Sequence, residues 1–482
     1  MLVEQKTFHN QLYVGGDWRA SSDDSTFDVL DPSTEATLAT VANGTTADAL
    51  ACVAAAHEAG PAWAATPPRE RAEVLRRAFE LMTARADDIA TLIVRENGKP
   101  LPDARSEATY AAEFFRWYSE EAVRNLGSVG IAPSGANRIL VVHQPVGVCV
   151  LVTPWNFPAA MATRKIGPAL AAGCTCILKP ASDTPLTALL MASILEEAGV
   201  PAGVVNVLPS RRSGEVVAEM VNDPRVRKLS FTGSTEVGRT LLQLASQTVV
   251  NTSMELGGNA PFIVFADADL DAALDGAMIA KMRNIGEACT AANRFYVEEP
   301  VVEEFGRALS ERMQSLKIGP GLEEGVQVGP LINEAARHKI DSLLADALGR
   351  GARVLTGGEH VARTGFFYRP TVVERVITGS EILREEIFGP VAPIVSFSSE
   401  AEAISLANDT EFGLVSYLYT GDLKRGLRVA EALEAGMVGL NRGLVSDPAA
   451  PFGGVKQSGI GREGGHEGLL DYTESKYIAT EW

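Results

Sequence analysis

The feature that most constrains the fold is a regular alternation of short apolar runs and helical segments between residues 146 and 245. Each apolar run is long enough for a buried strand, and each intervening segment places apolar residues at helical spacing. The predicted strands are 146–152, 174–178, 204–208 and 228–231, and the predicted helices are 160–172, 187–197, 214–221 and 236–245. Strands that alternate with helices form a parallel sheet with both faces covered, so the sequence predicts an α/β fold.

The same rhythm restarts beyond residue 255, which indicates a second α/β unit. A strand is predicted at 262–265, and Asp267 and Asp269 open the helix that follows it. A chain of 482 residues is also too long for one ordinary core, so two or three domains are expected.

Helices are predicted before the alternating region. Thr45 and Asp48 have the spacing of a capping pair for an alanine-rich helix that runs towards Gly60. A second helical pattern opens at Pro67 and ends near Asn97.

A hairpin with little apolar surface of its own is predicted between residues 127 and 145. Ser134 and Gly135 indicate a turn between two extended runs there. Residues 476–479 have the pattern of an edge strand. An exposed edge strand needs a partner, which favours a dimer or tetramer of this chain.

The composition disfavours several classes of partner and location. The formal charge of −18 opposes binding to nucleic acid and to anionic membrane surfaces. No run of 18 or more apolar residues is present, and the first residues lack a basic region followed by an apolar core, so neither a membrane span nor a secretory signal is expected. Five cysteines are few and odd in number, which disfavours disulfides and favours a reducing cytoplasm.

No metal site is expected from the spacing of potential ligands. Cys174 and Cys176 form a Cys-x-Cys pair without a companion cysteine or histidine at ligand spacing, and the six histidines form no His-x-x-x-His pair. A buried strand is therefore favoured over metal binding at this pair.

Two short motifs rich in small residues hold the residues best suited to chemistry. Cys289 lies in the segment GEACTAANR, and Glu255 lies 34 residues upstream in MELGGN. A thiol and a carboxylate beside small residues suit a nucleophile and a base that approach a substrate closely. The alternatives are a small buried hydrophobic cysteine and an acid in solvent at the end of a strand.

These motifs, together with PWNFP at 154–158 and EEIFGP at 385–390, closely resemble those of the aldehyde dehydrogenase superfamily. The resemblance covers nearly the whole chain and implies an α/β architecture of three parts. A Rossmann-like cofactor-binding domain would comprise 1–126 and 146–254, and a catalytic α/β domain would comprise 255–466. A small β element for oligomerisation would comprise 127–145 and 467–482.

The resemblance implies NADP as the cofactor, with NAD also possible. Gly233 and Ser234 join a predicted strand to a helix in a Gly-x-x-x-x-Gly pattern, which taken alone also fits an ordinary strand–turn–helix corner. Lys179 would bind the ribose hydroxyls of the adenosine. Ser182 is neutral where a glutamate would repel a 2′-phosphate, which favours NADP. The remaining implied contacts are Thr153, Pro154, Trp155, Leu256, Glu386 and Phe388.

Two kinds of neighbour modify this cofactor expectation. Asp183 follows Ser182 and would oppose a 2′-phosphate if it points inward. Arg211 and Arg212 would favour the phosphate if they face the same pocket, although a solvated loop is the somewhat preferred interpretation of this pair.

The resemblance also implies covalent catalysis. The Cys289 thiolate would attack an aldehyde carbon, and the thioester formed after hydride transfer would be hydrolysed by water. Asn156 and the main-chain N–H of Cys289 would stabilise the oxyanion. Glu255 would be the base for the hydrolytic water, with a pKa raised by an apolar site.

The implied substrate is an aldehyde with a distal carboxylate. In succinate-semialdehyde dehydrogenases, two arginines and a serine hold that carboxylate at positions that match Arg164, Arg283 and Ser446. Structural salt bridges or contacts with carbonyl groups are the alternative for both arginines. The oxidation of succinate semialdehyde to succinate is therefore expected. Other aliphatic or ω-carboxylated aldehydes such as glutarate semialdehyde, or an inactive scaffold on this fold, are the alternatives.

One departure from some relatives concerns redox control. These relatives carry a second cysteine two residues after the nucleophile, where a disulfide can form. Ala291 stands at that place here, so that switch cannot operate in this chain.

Overall fold

The computed structural model describes residues 9–481, whose strands form two large mixed sheets and three small antiparallel sheets. The elements before the alternating region are β1 (Leu12–Val14), β2 (Asp17–Arg19), β3 (Thr26–Leu30), β4 (Thr37–Ala42), α1 (Thr46–Ala65), α2 (Pro68–Ala84), α3 (Ala86–Asn97), α4 (Leu101–Glu121), β5 (Ser128–Ile131) and β6 (Arg138–Pro145). The alternating region comprises β7 (Val148–Val152), α5 (Pro158–Ala172), β8 (Thr175–Lys179), α6 (Pro185–Glu197), β9 (Val205–Val207), α7 (Ser213–Asn222), β10 (Val226–Thr232), α8 (Thr235–Ser246) and β11 (Asn251–Glu255).

The second half follows with the same alternation at first and shorter elements later. Its elements are β12 (Ala260–Val264), α9 (Leu270–Met282), β13 (Ala292–Glu298), α10 (Val302–Gln314), α11 (Glu334–Gly349), β14 (Arg353–Thr356), β15 (Thr371–Glu374), β16 (Val391–Phe397), α12 (Glu400–Asn408), β17 (Phe412–Gly413), β18 (Val415–Tyr419), α13 (Leu423–Ala432), β19 (Met437–Leu440), β20 (Val455–Lys456), β21 (Gly459–Ile460), α14 (Glu467–Leu470) and β22 (Thr473–Thr480).

The alternating region forms the parallel centre of the first sheet, as the sequence predicts. The strand order is β2-β1-β9-β8-β7-β10-β11-β21, and β9, β8, β7, β10 and β11 run parallel. All four predicted strands and all four predicted helices of this region are confirmed within a few residues. The antiparallel edges β1, β2 and β21 complete the sheet.

Apolar residues on both faces of these strands explain why helices cover the sheet on both sides. Cys149 and Leu151 of β7 belong to a core with α5 and α6, whereas Val148 and Val150 belong to a core with α1, α7 and α8. A strand whose successive side chains are all buried contributes to two cores because side chains alternate between faces. Cys174 and Cys176 are fully buried in the first of these cores.

The second sheet has the order β14-β15-β16-β13-β12-β18-β19 and is also largely parallel. Phe262 of β12 lies in a core with α9, α10 and α11, and its neighbour Ile263 lies in a core with α12 and α13. The α/β fold with a second α/β unit is therefore confirmed. Asp269 caps α9 by accepting a hydrogen bond from the Ala272 N–H, as its position predicts.

The predicted hairpin and edge strand form one three-stranded sheet of order β22-β6-β5. All eight residues of β22 pair with β6. Val129, Ile131 and Ile478 are exposed on this sheet.

The domain limits drawn from the resemblance stay a prediction. Residues 459–460 form β21, which pairs with β11 in the first sheet, although that prediction assigns them to the catalytic domain.

Three local features differ from the sequence prediction or extend it. The helical pattern from Pro67 is two helices, because Arg85 leaves the helical conformation (φ −111°) and Asp87 and Asp88 begin a new first turn. The long helix α4 and the strands β1 to β4 were not predicted. Thr45 and Asp48 form the predicted capping box of α1, which extends to Ala65.

No helix in residues 9–481 is long and apolar enough to cross a membrane. Over the same residues, no group of three or more His, Cys, Asp or Glu side chains is placed to hold a metal ion.

Candidate active site

A cavity of about 370 Å³ opens where β10 and β11 end, opposite residues 332–339 and 386–388 of the second half. The loop after β7 and the turn before α8 line the side of the cavity that belongs to the first half of the chain. Nine residues that the sequence analysis singled out line this cavity: Pro154, Trp155, Asn156, Gly233, Ser234, Leu256, Cys289, Glu386 and Phe388.

Cys289 lies in the loop between α9 and β13 and is partly exposed in the cavity. Burial raises the pKa of the Cys289 thiol to about 12, Arg164 and Arg283 act to lower this pKa, and Glu386 and Glu255 act to raise it. Burial and the two carboxylates therefore favour the neutral thiol, whereas the two arginines favour the thiolate. Arginines near the sulfur favour the thiolate once a ligand or a proton neutralises the carboxylates.

The chain enters the Cys289 loop through an unusual backbone. Asn284, Ile285 and Gly286 have φ values of 51°, 60° and 80° in succession. Gly286 is required here, because a Cβ at this position would lie 2.3 Å from the Gly389 carbonyl oxygen. Ile285 has a β-branched side chain that disfavours this conformation, so the surrounding contacts must hold it.

Asn156 lies between β7 and α5 and is almost completely buried. Its Nδ2 donates to the Glu287 carbonyl oxygen at 3.1 Å, which leaves one N–H of the amide for a ligand. Its Oδ1 has no hydrogen-bond partner among the described residues.

Glu255 is the last residue of β11 and is also almost completely buried. Burial raises its pKa well above the ordinary value, Glu463 raises it further, and Lys165 and Arg164 oppose this. Gly453 (φ 157°) makes room for the carboxylate, since a Cβ there would lie 2.9 Å from Glu255 Oε1.

The sequence analysis missed two charged residues beside Glu255. Glu463 Oε1 accepts a hydrogen bond from Lys165 Nζ at 2.5 Å, and Lys165 also donates to Ser230 Oγ at 2.7 Å. Lys165 directly follows Arg164 in α5, whose residues are all buried. Two adjacent cations in an otherwise uncharged helix sequence were the available signal that a buried carboxylate would pair with them.

The structure brings the three predicted substrate-binding residues into one region. Arg283 Nη1 donates to Ser446 Oγ at 3.4 Å, and its guanidinium lies 4.8 Å from the Phe157 ring. Arg164 donates through Nη2 to the hydroxyl of Tyr110 on α4. Tyr110 also lies 5.8 Å from the Arg283 guanidinium, so it contacts both arginines. Tyr110 was missed because α4 was not predicted.

Arg164 is the more strongly held of the two arginines. Its Nη1 lies 3.6 Å from Glu463 Oε2, and its guanidinium stacks over Phe452 at 4.1 Å. Its Nε is buried without a hydrogen-bond partner in the described part of the chain. Internal ion pairing therefore applies in part to Arg164. Among the residues that the structure describes, the polar side chain that Arg283 contacts is Ser446.

Lys179 ends β8, and the loop after it carries Ser182 and Asp183. Burial lowers the pKa of Lys179 to about 8, and Asp183 opposes this effect. Lys179 Nζ donates to the hydroxyl of Ser213 at the first residue of α7, which the sequence analysis did not single out. Ser182 is partly exposed beside this group.

Arg211 and Arg212 are engaged elsewhere. Arg212 forms an ion pair with Asp23 at 2.8 Å, and Arg211 Nη2 donates to the Asp28 carbonyl oxygen at 2.9 Å. These contacts favour the surface-loop interpretation of the two arginines over a contact with the ribose.

Several polar groups fit a dinucleotide at the cavity. The N-terminus of α8 opens onto it through Gly233 and the N-cap Ser234, where a phosphate is favoured. Thr232 Oγ1 lines the cavity and is buried without a partner among the described residues. Glu386 Oε1 accepts from the Gly258 N–H at 3.2 Å and has a pKa raised to about 7 by burial.

The apolar side of the cavity completes this fit. The rings of Trp155 and Phe388 stand edge to face at a centroid distance of 5.3 Å. Thr153 precedes this group and is buried at the end of β7. The groups present therefore suit a flat aromatic ring, a ribose and a phosphate in one cavity.

One cavity between two α/β units thus combines a partly exposed thiol with groups that suit a nucleotide, an arrangement that fits an oxidoreductase with a catalytic cysteine. The chain belongs to the aldehyde dehydrogenase family, whose model matches residues 18–478. A succinate-semialdehyde dehydrogenase of Paenarthrobacter nicotinovorans is 57% identical over 92% of this chain and 98% of its own length. A glutarate-semialdehyde dehydrogenase of Pseudomonas putida is 48% identical over 99% of both chains. The crystal structure of an NADP-dependent enzyme of Escherichia coli superposes with a TM-score of 0.97 at 48% identity and covers 98% of both chains.

Proposed function

We propose that this aldehyde dehydrogenase oxidises succinate semialdehyde to succinate with NADP, through a covalent intermediate on Cys289. The observation that carries the substrate is the grouping of Arg283, Ser446 and Arg164, with both arginines near enough to the thiol to influence its pKa. Guanidinium groups suit a carboxylate because they donate two parallel hydrogen bonds. The similarity to the Paenarthrobacter enzyme supports the same substrate.

The residues around Cys289 divide the chemistry among them. The Cys289 thiolate attacks the aldehyde carbon, and the free N–H of Asn156 and the main-chain N–H of Cys289 donate to the resulting oxyanion. A bound NAD(P) would accept the hydride that leaves as the thioester forms. Glu255 in its ionised form then takes a proton from the water that attacks the thioester. The C–S bond breaks, the carboxylic acid is released with the other proton of the water, and Cys289 leaves as the thiolate, while Glu255 returns its proton to solvent.

Turnover of succinate semialdehyde against butanal tests the substrate assignment, and Arg283→Ala tests its basis. The substitution should lower the efficiency with succinate semialdehyde by ~10- to 100-fold more than with butanal, because a charge-assisted contact is worth ~1.5–3 kcal/mol. The ratio of the two efficiencies is the measurement.

The control for this test is Arg307→Ala, which removes an exposed arginine on α10 that pairs with Glu311 one helical turn further along. Equal losses with both substrates in Arg283→Ala would mean that the arginine tunes the thiol and binds no carboxylate. Arg164→Ala should impair both substrates, since Arg164 also lies beside Glu463 and lowers the pKa of Glu255.

The cofactor preference depends on Ser182. Ser182→Glu should shift the ratio of catalytic efficiencies towards NAD, because the new carboxylate would accept from a 2′-hydroxyl and repel a 2′-phosphate. Measurement of that ratio for the wild type and Ser182→Gln separates the effect of charge from that of size. An unchanged ratio in Ser182→Glu would remove Ser182 from the ribose site.

Glutarate semialdehyde is the second candidate substrate, supported by the 48% identical enzyme of Pseudomonas putida. The two substrates differ by one methylene, and a pocket distinguishes them by only about 1–3 kcal/mol. Comparison of their efficiencies with the same enzyme preparation decides between them.

We also propose that the exposed sheet β22-β6-β5 joins copies of this chain into a dimer or tetramer. Its exposed apolar residues Val129, Ile131 and Ile478 support this assignment. A monomer in light scattering would exclude this assembly.

A cytoplasmic location is supported by the five unpaired cysteines, four of which are buried.

A further inference from the structure

A buried ion pair lies directly behind Asn156, outside the cavity. Lys99, just after α3, and Glu107, on α4, have fully buried side chains, and Lys99 Nζ donates to Glu107 Oε2 at 2.6 Å. Removing two charges from water costs several kcal/mol for each ion, so a buried pair is weak support for stability by itself. The other contacts of the pair therefore indicate what it does.

Both members of the pair hold the same short segment of backbone. Lys99 Nζ donates to the Asn156 carbonyl oxygen at 2.7 Å and lies 4.1 Å from the Phe157 ring. Glu107 Oε1 accepts from the N–H groups of Ala159 and Ala160, at 2.9 and 3.3 Å, in the first turn of α5. The segment from Asn156 to Ala160 is thus fixed at both ends by one ion pair.

A second side chain holds the same carbonyl and connects it to the Cys289 loop. Asn284 Nδ2 donates to the Asn156 carbonyl oxygen at 2.9 Å and to the Glu287 carbonyl oxygen at 2.8 Å. The Glu287 carbonyl also accepts from Asn156 Nδ2. Asp103 Oδ2 accepts from the Asn284 N–H at 2.8 Å, which helps to keep Asn284 in its left-handed conformation.

We propose that Lys99 is a positioning residue for the oxyanion site, which it serves by fixing the main chain of Asn156. The proposal rests on the role of Asn156 in the proposed function. An oxyanion donor must lie within a few tenths of an ångström of its place, and a misplacement of ~1 Å costs ~100-fold in rate. Lys99 does not line the cavity, so its effect on the oxyanion site passes through the main chain of Asn156 and the segment that follows it.

A thermodynamic cycle between the Lys99/Glu107 pair and Asn156 tests this proposal in the full-length enzyme. Its first variant, Lys99→Met/Glu107→Gln, removes both charges of the pair and keeps a side-chain oxygen that can accept from the Ala159 N–H. Its second variant is Asn156→Ala, and the third combines all three substitutions. The measurement is the rate of reduced-cofactor formation in a single turnover, with the dissociation constant of the cofactor measured separately.

Asn156→Ala should slow the single turnover by ~100- to 1,000-fold, as for other lost oxyanion donors. The Lys99/Glu107 variant should slow it by ~10- to 100-fold with cofactor affinity unchanged. In the Asn156→Ala background, the same Lys99/Glu107 change should have less than about a twofold further effect, since groups that act as one unit are not additive.

Lys228→Met is the matched control. Lys228 is another buried lysine and lies near the start of β10, whereas the cavity lies at the end of that strand. Its Nζ donates to Asn251 Oδ1 at 2.8 Å and lies 5.1 Å from the centre of the Tyr472 ring. Its loss should leave the single-turnover rate within about twofold of the wild type. If the Lys99/Glu107 variant does not fold, Lys99→Gln replaces it in the cycle.

Each outcome decides one assignment. Full additivity of the two changes, or a loss of cofactor affinity in the Lys99/Glu107 variant, would overturn the positioning role and leave the proposed function intact. An undiminished single turnover in Asn156→Ala would instead overturn the role of Asn156 and, with it, the inference on Lys99.

Discussion

Cys289→Ala should abolish aldehyde oxidation while cofactor binding persists. In the proposed mechanism the thiolate is the point of covalent attachment, and no other cysteine among residues 9–481 lines the cavity. We expect a loss of at least about 10⁴-fold in turnover, the scale seen when a covalent nucleophile is removed. The measurements are steady-state turnover of succinate semialdehyde and cofactor affinity by fluorescence titration.

Cys176→Ala provides the control, because Cys176 is a buried thiol in the centre of the first sheet. This variant should lose some stability and retain the chemistry. Turnover by Cys289→Ala above a few per cent of the wild-type rate would refute the nucleophile assignment. A loss of cofactor affinity in the same variant would indicate a distorted cavity.

Glu255→Gln should retain the first turnover and then stall. The amide cannot accept a proton from water, so the thioester accumulates and the steady-state rate falls by ~100- to 10,000-fold. A burst of reduced cofactor equal to the enzyme concentration, followed by a slow phase, is the expected trace. Glu215→Gln, on the exposed face of α7, is the control.

The pH dependence of the hydrolytic phase follows from the same residue. Burial raises the pKa of Glu255, and only the ionised carboxylate is a base, so hydrolysis should accelerate as pH rises through that pKa. Glu255→Gln should lose this acceleration. Absence of the burst itself would instead assign Glu255 to activation of Cys289.

The central fold was predictable because its elements are strongly periodic. The strands from 146 to 231 are buried on both faces, so each appears as a continuous apolar run between helical segments. The break at Arg85 was not predicted, since apolar residues keep helical spacing across it and only the acidic start of α3 marks it. Helix α4 was missed although Pro102 and Asp103 lie in its first turn, where both residue types are favoured.

The candidate site was predictable to the extent that its residues belong to long motifs. Cys289, Asn156 and Glu386 come from distant segments, and the fold brings them to one cavity as the resemblance implies. Tyr110 and Glu463 carry no local pattern that distinguishes them from a surface tyrosine and a solvated acid. Their contacts with Arg164 arise only from tertiary packing, so no single sequence could show them.

The antiparallel contact between β11 and β21 has a consequence for how the enzyme reaches its native state. It pairs Met254 with Ile460 and Glu255 with Gly459, segments about 200 residues apart, and closure of such long loops is a slow step in folding. Without this pairing β11 would be an edge strand, and Glu255 would lack the neighbours Gly453 and Glu463 that surround its carboxylate in the native structure. We therefore expect the parallel centre of the first sheet, built from neighbouring segments, to form earlier than the complete surroundings of Glu255, so that catalytic activity should be among the last properties that the folding chain acquires.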